Sequence, residues 1–359
     1  MTERVTSGVP RVRAPWVALD ALELYVSDLD PTRELLTDGF GLVPFAPTVD
    51  VGPEERAACL GSGGVTIVLR QGTSRGSPVA RHVAAHGDTV GDVVLVCPDT
   101  AEIVGRARAH GLDVLGSGEH PRIDMLGDRT LCHTLHTSAP IRPARSTSGR
   151  RRPLAIDHVA CCLRRGTIDT IACTYEEVFG LERLDVGAWN DVGDGVADMH
   201  SIPLRSPAGG FTVVLTEPAG PGGGGQTQHF LDAHAGPGIQ HAAWAFDDLV
   251  DVVGWLRGRG VDFLPIPDAY YAQAESRLRH LSLHWETLRR SGILVDTEDG
   301  GLLQQLFTRP ITDRETFFLE LIERSGATGF GGNNVKALYA AVEATTRGDL
   351  ASPGRGEET

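Results

Sequence analysis

The chain has 359 residues, 41% of them hydrophobic, and a formal net charge of −14. That length and apolar content suffice for two domains with real cores, while the acidic balance argues against a nucleic-acid partner, which needs a basic surface. No apolar stretch approaches the roughly 20 residues that cross a bilayer, and the opening MTERVTSGVPRVRAPW has no apolar export core, so a cytoplasmic protein with no membrane partner is expected.

In chain order, ALDALELYV (Ala18 to Val26) alternates as a strand does. DPTRELLTDGFG follows, with Asp30 as N-cap, Pro31 at the first helical position and a closing glycine. Val90 to Leu115 reads as a strand running into a helix, and RTLCHTLHT from Arg129 as a strand that puts His133 and His136 on opposite faces. IRPARSTSGRRRP (Ile141 to Pro153) is a basic linker, after which AIDHVACCL (Ala155 to Leu163) starts another strand. The glycine run PAGPGGGGQTQ (Pro218 to Gln228) lacks the Lys-Ser/Thr of a phosphate loop and reads as a flexible connection. DDLVDVVGWLRGRG is a capped amphipathic helix ending at Gly258 or Gly260. His280 and His284 lie four apart on an expected helix, a zinc-binding spacing without the accompanying glutamate motif. The six cysteines form no C-x-x-C pair and read as free thiols, mostly buried, and the last residues as a disordered tail.

These segments repeat. Ala18 to Val26 resembles Ala155 to Leu163; FGLVPF from Phe40 resembles FGLERL from Phe179; Val90 to Leu115 parallels Ile239 to Leu264 without a gap. RTLCHTLHT at the end of the first copy is matched with GLLQQLFTR from Gly301 in the second. Two domains are therefore expected, residues 1–140 and 154–346, joined by the linker 141–153 and followed by the tail 347–359. Each copy reads strand, helix, then several strands. The arrangement is similar to the α+β vicinal oxygen chelate fold, whose duplicated βαβββ modules curl sheets around a metal.

The copies differ at their histidines. Where the first has Asp20-Ala21-Leu22 and Gly91-Asp92-Val93, the second has Asp157-His158-Val159 and Gln240-His241-Ala242. Unrelated core histidines would have no reason to fall at matched places in one copy alone, so the pair points to a metal. A third ligand is sought downstream in ETFFLELIER, where alternation places Phe318, Glu320 and Ile322 on one face. A carboxylate on that apolar face should be neutralised, paired with an arginine or coordinated. Two histidines and one carboxylate suit a non-haem Fe(II) oxygenase.

IDHV, GPGIQH, FLPIPDAYY, LLQQLFTRP and FFLELIERSGATGFGGNNVKALYAAVE, in that order, resemble the family of 4-hydroxyphenylpyruvate dioxygenases and their sisters, the 4-hydroxymandelate synthases, from about Ala18 to Glu343. The resemblance implies Fe(II) held by His158, His241 and Glu320, with 4-hydroxyphenylpyruvate and O2 as substrates. It implies that Ser201, Gln226 and Gln305 line the substrate pocket and that GFGGNNVKALYAAVE forms a C-terminal helix over the site. Where the dioxygenase pattern has Pro-Ile-Asn-Glu-Pro, this chain has Val214-Leu215-Thr216-Glu217-Pro218, and where that pattern has phenylalanine in the closing helix Val335 stands, with Tyr339 beyond it. Val335 with Tyr339 thus resembles the synthase; the room left by Val335, and the loss at Thr216 of an asparagine amide that could position an oxygenated ring, favour attack on the benzylic carbon over the ring. Homogentisate formation is the alternative; a metal-free binding protein on the same fold is an alternative of another class. The degenerate first copy is free to form a homodimer contact.

Overall fold

A computed structural model describes residues 17–46, 48–116, 120–137, 151–185, 199–219, 225–314, 316–335 and 337. The tail, most of the linker, the centre of the glycine run and Tyr339 lie outside the described residues.

The first half contains β1 (Ala18–Val26), α1 (Leu29–Glu34), β2 (Val43–Pro44), β3 (Val49–Gly52), β4 (Glu55–Ser62), β5 (Val65–Gly72), α2 (Pro78–His86), β6 (Thr89–Val96), α3 (Thr100–Ala109), β7 (Val114–Leu115), β8 (Arg122–Asp124) and β9 (Cys132–His136). The second contains β10 (Ala155–Cys162), α4 (Ile168–Phe179), β11 (Glu182–Arg183), β12 (Met199–Arg205), β13 (Thr212–Pro218), α5 (Gln226–Ala233), β14 (Gly238–Ala245) and α6 (Leu249–Arg257). It closes with α7 (Asp268–Arg277), α8 (Trp285–Ser291), β15 (Leu294–Glu298), β16 (Gly301–Phe307) and β17 (Phe318–Ser325). The strand orders are β2-β4-β5-β1-β6-β9-β8-β7, with β3 beside β4, and β11-β12-β13-β10-β14-β17-β16-β15.

Each half is thus two βαβββ units, with the first strand of every unit lying parallel to its last: β1 with β5, β6 with β9, β10 with β13, β14 with β17. This corrects the expected end of the repeat. β9 occupies the place of β17, so Cys132–His136 corresponds to Phe318–Ser325 and not to the strand from Gly301. The similarity of RTLCHTLHT to GLLQQLFTR is a similarity of apolar pattern between neighbouring strands.

Local rules set the helix ends, with one shift. The carboxylate of Asp28, not Asp30, caps α1 by accepting from the Asp30 backbone N–H at 3.2 Å, and the helix continues as a π-turn over Leu35–Gly39. α6 follows the expected pattern, capped by Asp248 on Asp251 N–H and ended at Gly258. His280 and His284 do not share a helix: α7 ends at Arg277, His280 sits in the turn after it, and His284 is the N-cap of α8. The chain between them takes a turn that separates the pair.

One apolar core runs through both halves, from Leu22, Leu60 and Leu69 to Val213, Val252 and Leu321. Across the seam Phe40 packs edge-on against Trp244 with ring centroids 5.7 Å apart. Arg314 donates to the carbonyls of Ala85 and Ala84 at 2.7 and 3.0 Å. Beside it, His82 and His86 on α2 meet His234 just past α5, each neighbouring pair of rings 4.9 Å apart, and His86 Nδ1 donates to the His234 carbonyl. Among the described residues no helix is long and apolar enough to cross a membrane.

Burial, then the imidazoles of His86 and His234, lower His82 to about 3; burial likewise lowers His234 to about 4, with His86 and Arg314 pushing the same way and Asp128 opposing. Both values lie under the ordinary 6.5, so the unfolded chain binds more protons and the folded state loses stability as pH falls through that value. The slope is about 1.4 kcal/mol per pH unit for each imidazole. Urea melts taken from about pH 7 to about pH 5 should show this loss, and His82→Asn should flatten it by about that amount per unit; identical slopes in the two proteins would refute the assignment.

Candidate metal centre

β10 and β14 lie antiparallel at the middle of the second sheet, and each carries one extra residue immediately before a histidine. Ile156 faces Trp244 and His158 faces Ala243, leaving Asp157 as a bulge; Ala160 faces His241 and Cys161 faces Ile239, leaving Gln240 as another. A bulge breaks strict alternation, so the side chain before each imidazole can reach it. Asp157 Oδ1 is 2.8 Å from His158 Nδ1, and Gln240 Oε1 is 3.3 Å from His241 Nδ1. An oxygen at Nδ1 keeps the ring hydrogen there and leaves Nε2 with its lone pair.

Glu320 arrives on β17, opposite Ala243 of β14. Its Oε2 lies 3.4 Å from His158 Nε2 and 3.5 Å from His241 Nε2. The three side chains offer one ligand atom each, all within 4.8 Å of one another, and no other such group occurs among the described residues. Two imidazoles and a carboxylate gathered on one side form the facial set used by divalent transition metals, non-haem iron among them. The donor chemistry fits a metal that displaces the His158 proton: with an oxygen at each Nδ1, the neutral rings would turn both Nε2 lone pairs to the ion, and Oε2 of the carboxylate is not used by the hydrogen bond at Oε1.

Burial and pairing oppose each other here. Burial would raise Glu320, but His158 and the hydrogen bonds outweigh it and hold the carboxyl below its ordinary range. Burial would lower His158, yet Glu320 and Asp157 lift it to about 9; His241, lacking a second carboxylate, is lowered to about 4 by burial. Asp157 is held well down, against its burial, by His158 and Arg324. Arg324 grips it with two bonds, Nε to Oδ2 at 2.8 Å and Nη2 to Oδ1 at 2.9 Å. The arginine weighed as a partner for Glu320 thus exists on the same strand, but it is paired with the carboxylate behind His158.

The same cavity is lined by Thr216, Gln226, Gln305 and Val335, together with Gln240, Met199, Phe307 and Phe330. Ser201 is buried on β12 opposite Thr216 and is not among the lining residues. Thr216 Oγ1 turns away, donating to the Cys161 carbonyl at 3.4 Å. His133 is a buried core histidine between Tyr175 OH and its own strand's backbone, and His136 stacks on His120. Sequence reasoning missed Asp157 and Gln240. Both stood in the quoted runs, but regular alternation sends residue i−1 away from residue i, and only the bulges reverse that.

Register also locates what stands in the ligands' places in the other half. The bulges persist in the first half, where Asp20 and Gly91 are the extra residues. The places of His158, His241 and Glu320 are taken there by Ala21, Asp92 and Thr134. Asp92 accepts from Thr134 N at 2.9 Å, Thr134 Oγ1 at 2.9 Å and Arg122 Nε at 2.6 Å. A fixed guanidinium supplies the positive charge. Within the second half, Ala160 faces Val214 as Ala243 faces Glu320, so the symmetry-related fourth position carries an aliphatic side chain that cannot ligate.

Residues 157–278 match the family model described as the Glyoxalase/Bleomycin resistance protein/Dioxygenase superfamily. The chain is similar to a 4-hydroxyphenylpyruvate dioxygenase of Yarrowia lipolytica, with 31% identity over 304 residues covering 77% of each chain. It is similar to a solved structure of a triply substituted 4-hydroxymandelate synthase from Streptomyces coelicolor, with 35% identity and a TM-score of 0.79 over 92% of this chain and 99% of that one. A Mn(II)-bound glyoxalase from Novosphingobium aromaticivorans, 13% identical with a TM-score of 0.53 over 88% of this chain and 85% of that one, shares the fold.

Removing the carboxylate behind a metal-binding imidazole loosens its tautomer and orientation. Asp157→Asn should therefore weaken uptake of Co(II) by the metal-free protein by about 10- to 100-fold, read by competition with a chelator; unchanged affinity would show that the bulged aspartate serves only Arg324.

Proposed function

The chain belongs to the family of 4-hydroxyphenylpyruvate dioxygenases and 4-hydroxymandelate synthases, and from that premise we propose that it converts 4-hydroxyphenylpyruvate and O2 to 4-hydroxymandelate and CO2. In this reading one oxygen atom enters the new carboxylate as CO2 leaves, and the other enters the benzylic C–H bond. His158, His241 and Glu320 would hold the ferrous ion. When bound, Fe(II) supplies a chelating point for the 2-keto acid and activates dioxygen.

The remaining residues bind, orient and exclude. Val214, the pseudo-symmetry counterpart of Glu320, leaves that side of the site to the substrate's keto acid. Ala160, Phe307, Phe330 and Val335 give the cavity apolar walls that suit an aromatic ring and keep water from the reacting carbon. Gln226 and Gln240 bring amides to the same cavity. Ser201, buried opposite Thr216, supports that wall.

The observation that carries the choice of product is Val335 in the wall of the cavity that holds the three donors. An aliphatic side chain there, where the dioxygenase pattern has phenylalanine, lets the ring turn and present its CH2 group. The hydroxyl of Thr216, spent on the Cys161 carbonyl, supports the same reading because it offers no donor to an oxygenated ring. Formation of homogentisate is the second reading, favoured by the name of the Yarrowia lipolytica relative.

The two products are isomers, so the Fe(II)-loaded protein should be incubated with 4-hydroxyphenylpyruvate and its product identified by chromatography against both authentic acids. 4-Hydroxymandelate is expected, and homogentisate as the main product would overturn the proposal. Val335→Phe should move the product ratio toward ring oxidation several-fold, about 1 kcal/mol between the two barriers; an unmoved ratio would remove the steric argument.

A further inference from the structure

Gln305 lines the cavity, yet neither amide hydrogen is available to a substrate. Its Nε2 donates to Glu320 Oε1 at 2.7 Å and to the Phe330 carbonyl at 3.2 Å. Its Oε1 accepts from Asn334 Nδ2 at 2.8 Å, and Asn334 Oδ1 accepts from the hydroxyl of Tyr270 at 2.6 Å. The Tyr270 oxygen in turn accepts from Val295 N–H at 2.7 Å.

The direction of this chain is forced. An ionised carboxylate only accepts, so Gln305 must present its NH2; its oxygen then needs a donor, which Asn334 supplies only with its own NH2; the Asn334 oxygen then takes the phenolic hydrogen at 2.6 Å in preference to the Val295 carbonyl, which is 2.9 Å from that hydroxyl and also accepts from Arg277 Nη2 at 3.3 Å. Gln305 and Asn334 are 1% and 0% exposed, so water cannot replace a missing partner. The backbone is shaped to the same end. Gly331 has φ 74°, and a Cβ there would stand 2.3 Å from Gln305 Oε1.

We propose that Tyr270 and Asn334 are positioning residues that act through Gln305 to hold Glu320 with Oε1 engaged and Oε2 turned to the two imidazoles. This gives the FLPIPDAYY run a part in the site from another layer of the fold, since Tyr270 lies on α7 and reaches Asn334 at the start of the closing segment. The proposal rests on the metal-centre reading above and deepens it.

The test titrates metal-free protein with Co(II) alone, followed by its visible d–d absorption. Asn334→Asp keeps size but sets an acceptor against Gln305 Oε1, so the amide must turn and put its oxygen toward Glu320. Co(II) affinity should fall about tenfold or more, with an altered d–d spectrum. Tyr270→Phe removes one oxygen and should give a smaller fall of the same kind; it carries the test if Asn334→Asp does not fold. Melting of the metal-free forms is measured alongside. Lower melting with unchanged Co(II) affinity and spectrum in the folded variants would overturn the proposal and leave both residues a structural part only. If the unsubstituted chain itself takes up no Co(II), the metal-centre reading falls and the relay with it.

Discussion

A carboxylate 2% exposed at the centre of a β-sheet is costly to keep ionised, because burial removes its hydration and only well-placed partners restore it. Glu320 recovers that loss from two imidazoles and one amide, and each of these is itself held by a further group. The bulges in β10 and β14, the bidentate grip of Arg324 on Asp157, and the fixed orientation of Gln305 all serve this one buried charge. They also gather three donors that could hold a divalent cation. The family of the chain and the geometry of the site therefore meet at a single electrostatic requirement.

The duplicated architecture, the two histidines and the glutamate were legible in the sequence because they depend on periodicity and on comparison of one half with the other. Ala21 against His158 and Asp92 against His241 stood at matched places within locally similar runs of the two copies, so the difference itself carried the signal. What escaped reading depended on breaks in period. Asp157 and Gln240 reach their imidazoles only through extra residues in the ladder, and no rule of alternation foretells a bulge. The match of Gly301 onward with Arg129 onward failed for a related reason: neighbouring strands of one sheet share an apolar pattern, and only hydrogen-bond register tells them apart. Asp28 displaced Asp30 as cap because either carboxylate satisfies the local preference and the backbone decides between them. The reach of Tyr270 to Asn334 spans 64 residues, a distance at which spacing carries no information.

The closing segment is anchored more firmly than its place over the cavity suggests. Glu298 accepts from Gly331 N–H at 2.8 Å, and Asp296 accepts from Asn333 through backbone and side chain. Both acids belong to β15, the outermost strand of the catalytic sheet. The origin of the segment is thereby tied to the same sheet that carries the donors, and Val335 follows within one turn of that anchor. The side chain assigned to choosing the product is set by the sheet rather than by a free lid.

In the first half the matching cup is plugged by Arg122, which donates to Asp92 and also to Tyr25 OH at 2.6 Å. A covalently attached cation cannot be stripped by a chelator, exchanged for another ion or oxidised. Under the proposed function the two halves therefore answer differently to their surroundings: one is autonomous, while the other has its integrity linked to the supply and redox state of a dissociable ion. The expected stoichiometry is then one ion per polypeptide, since the duplicate cradle is filled by the chain's own guanidinium.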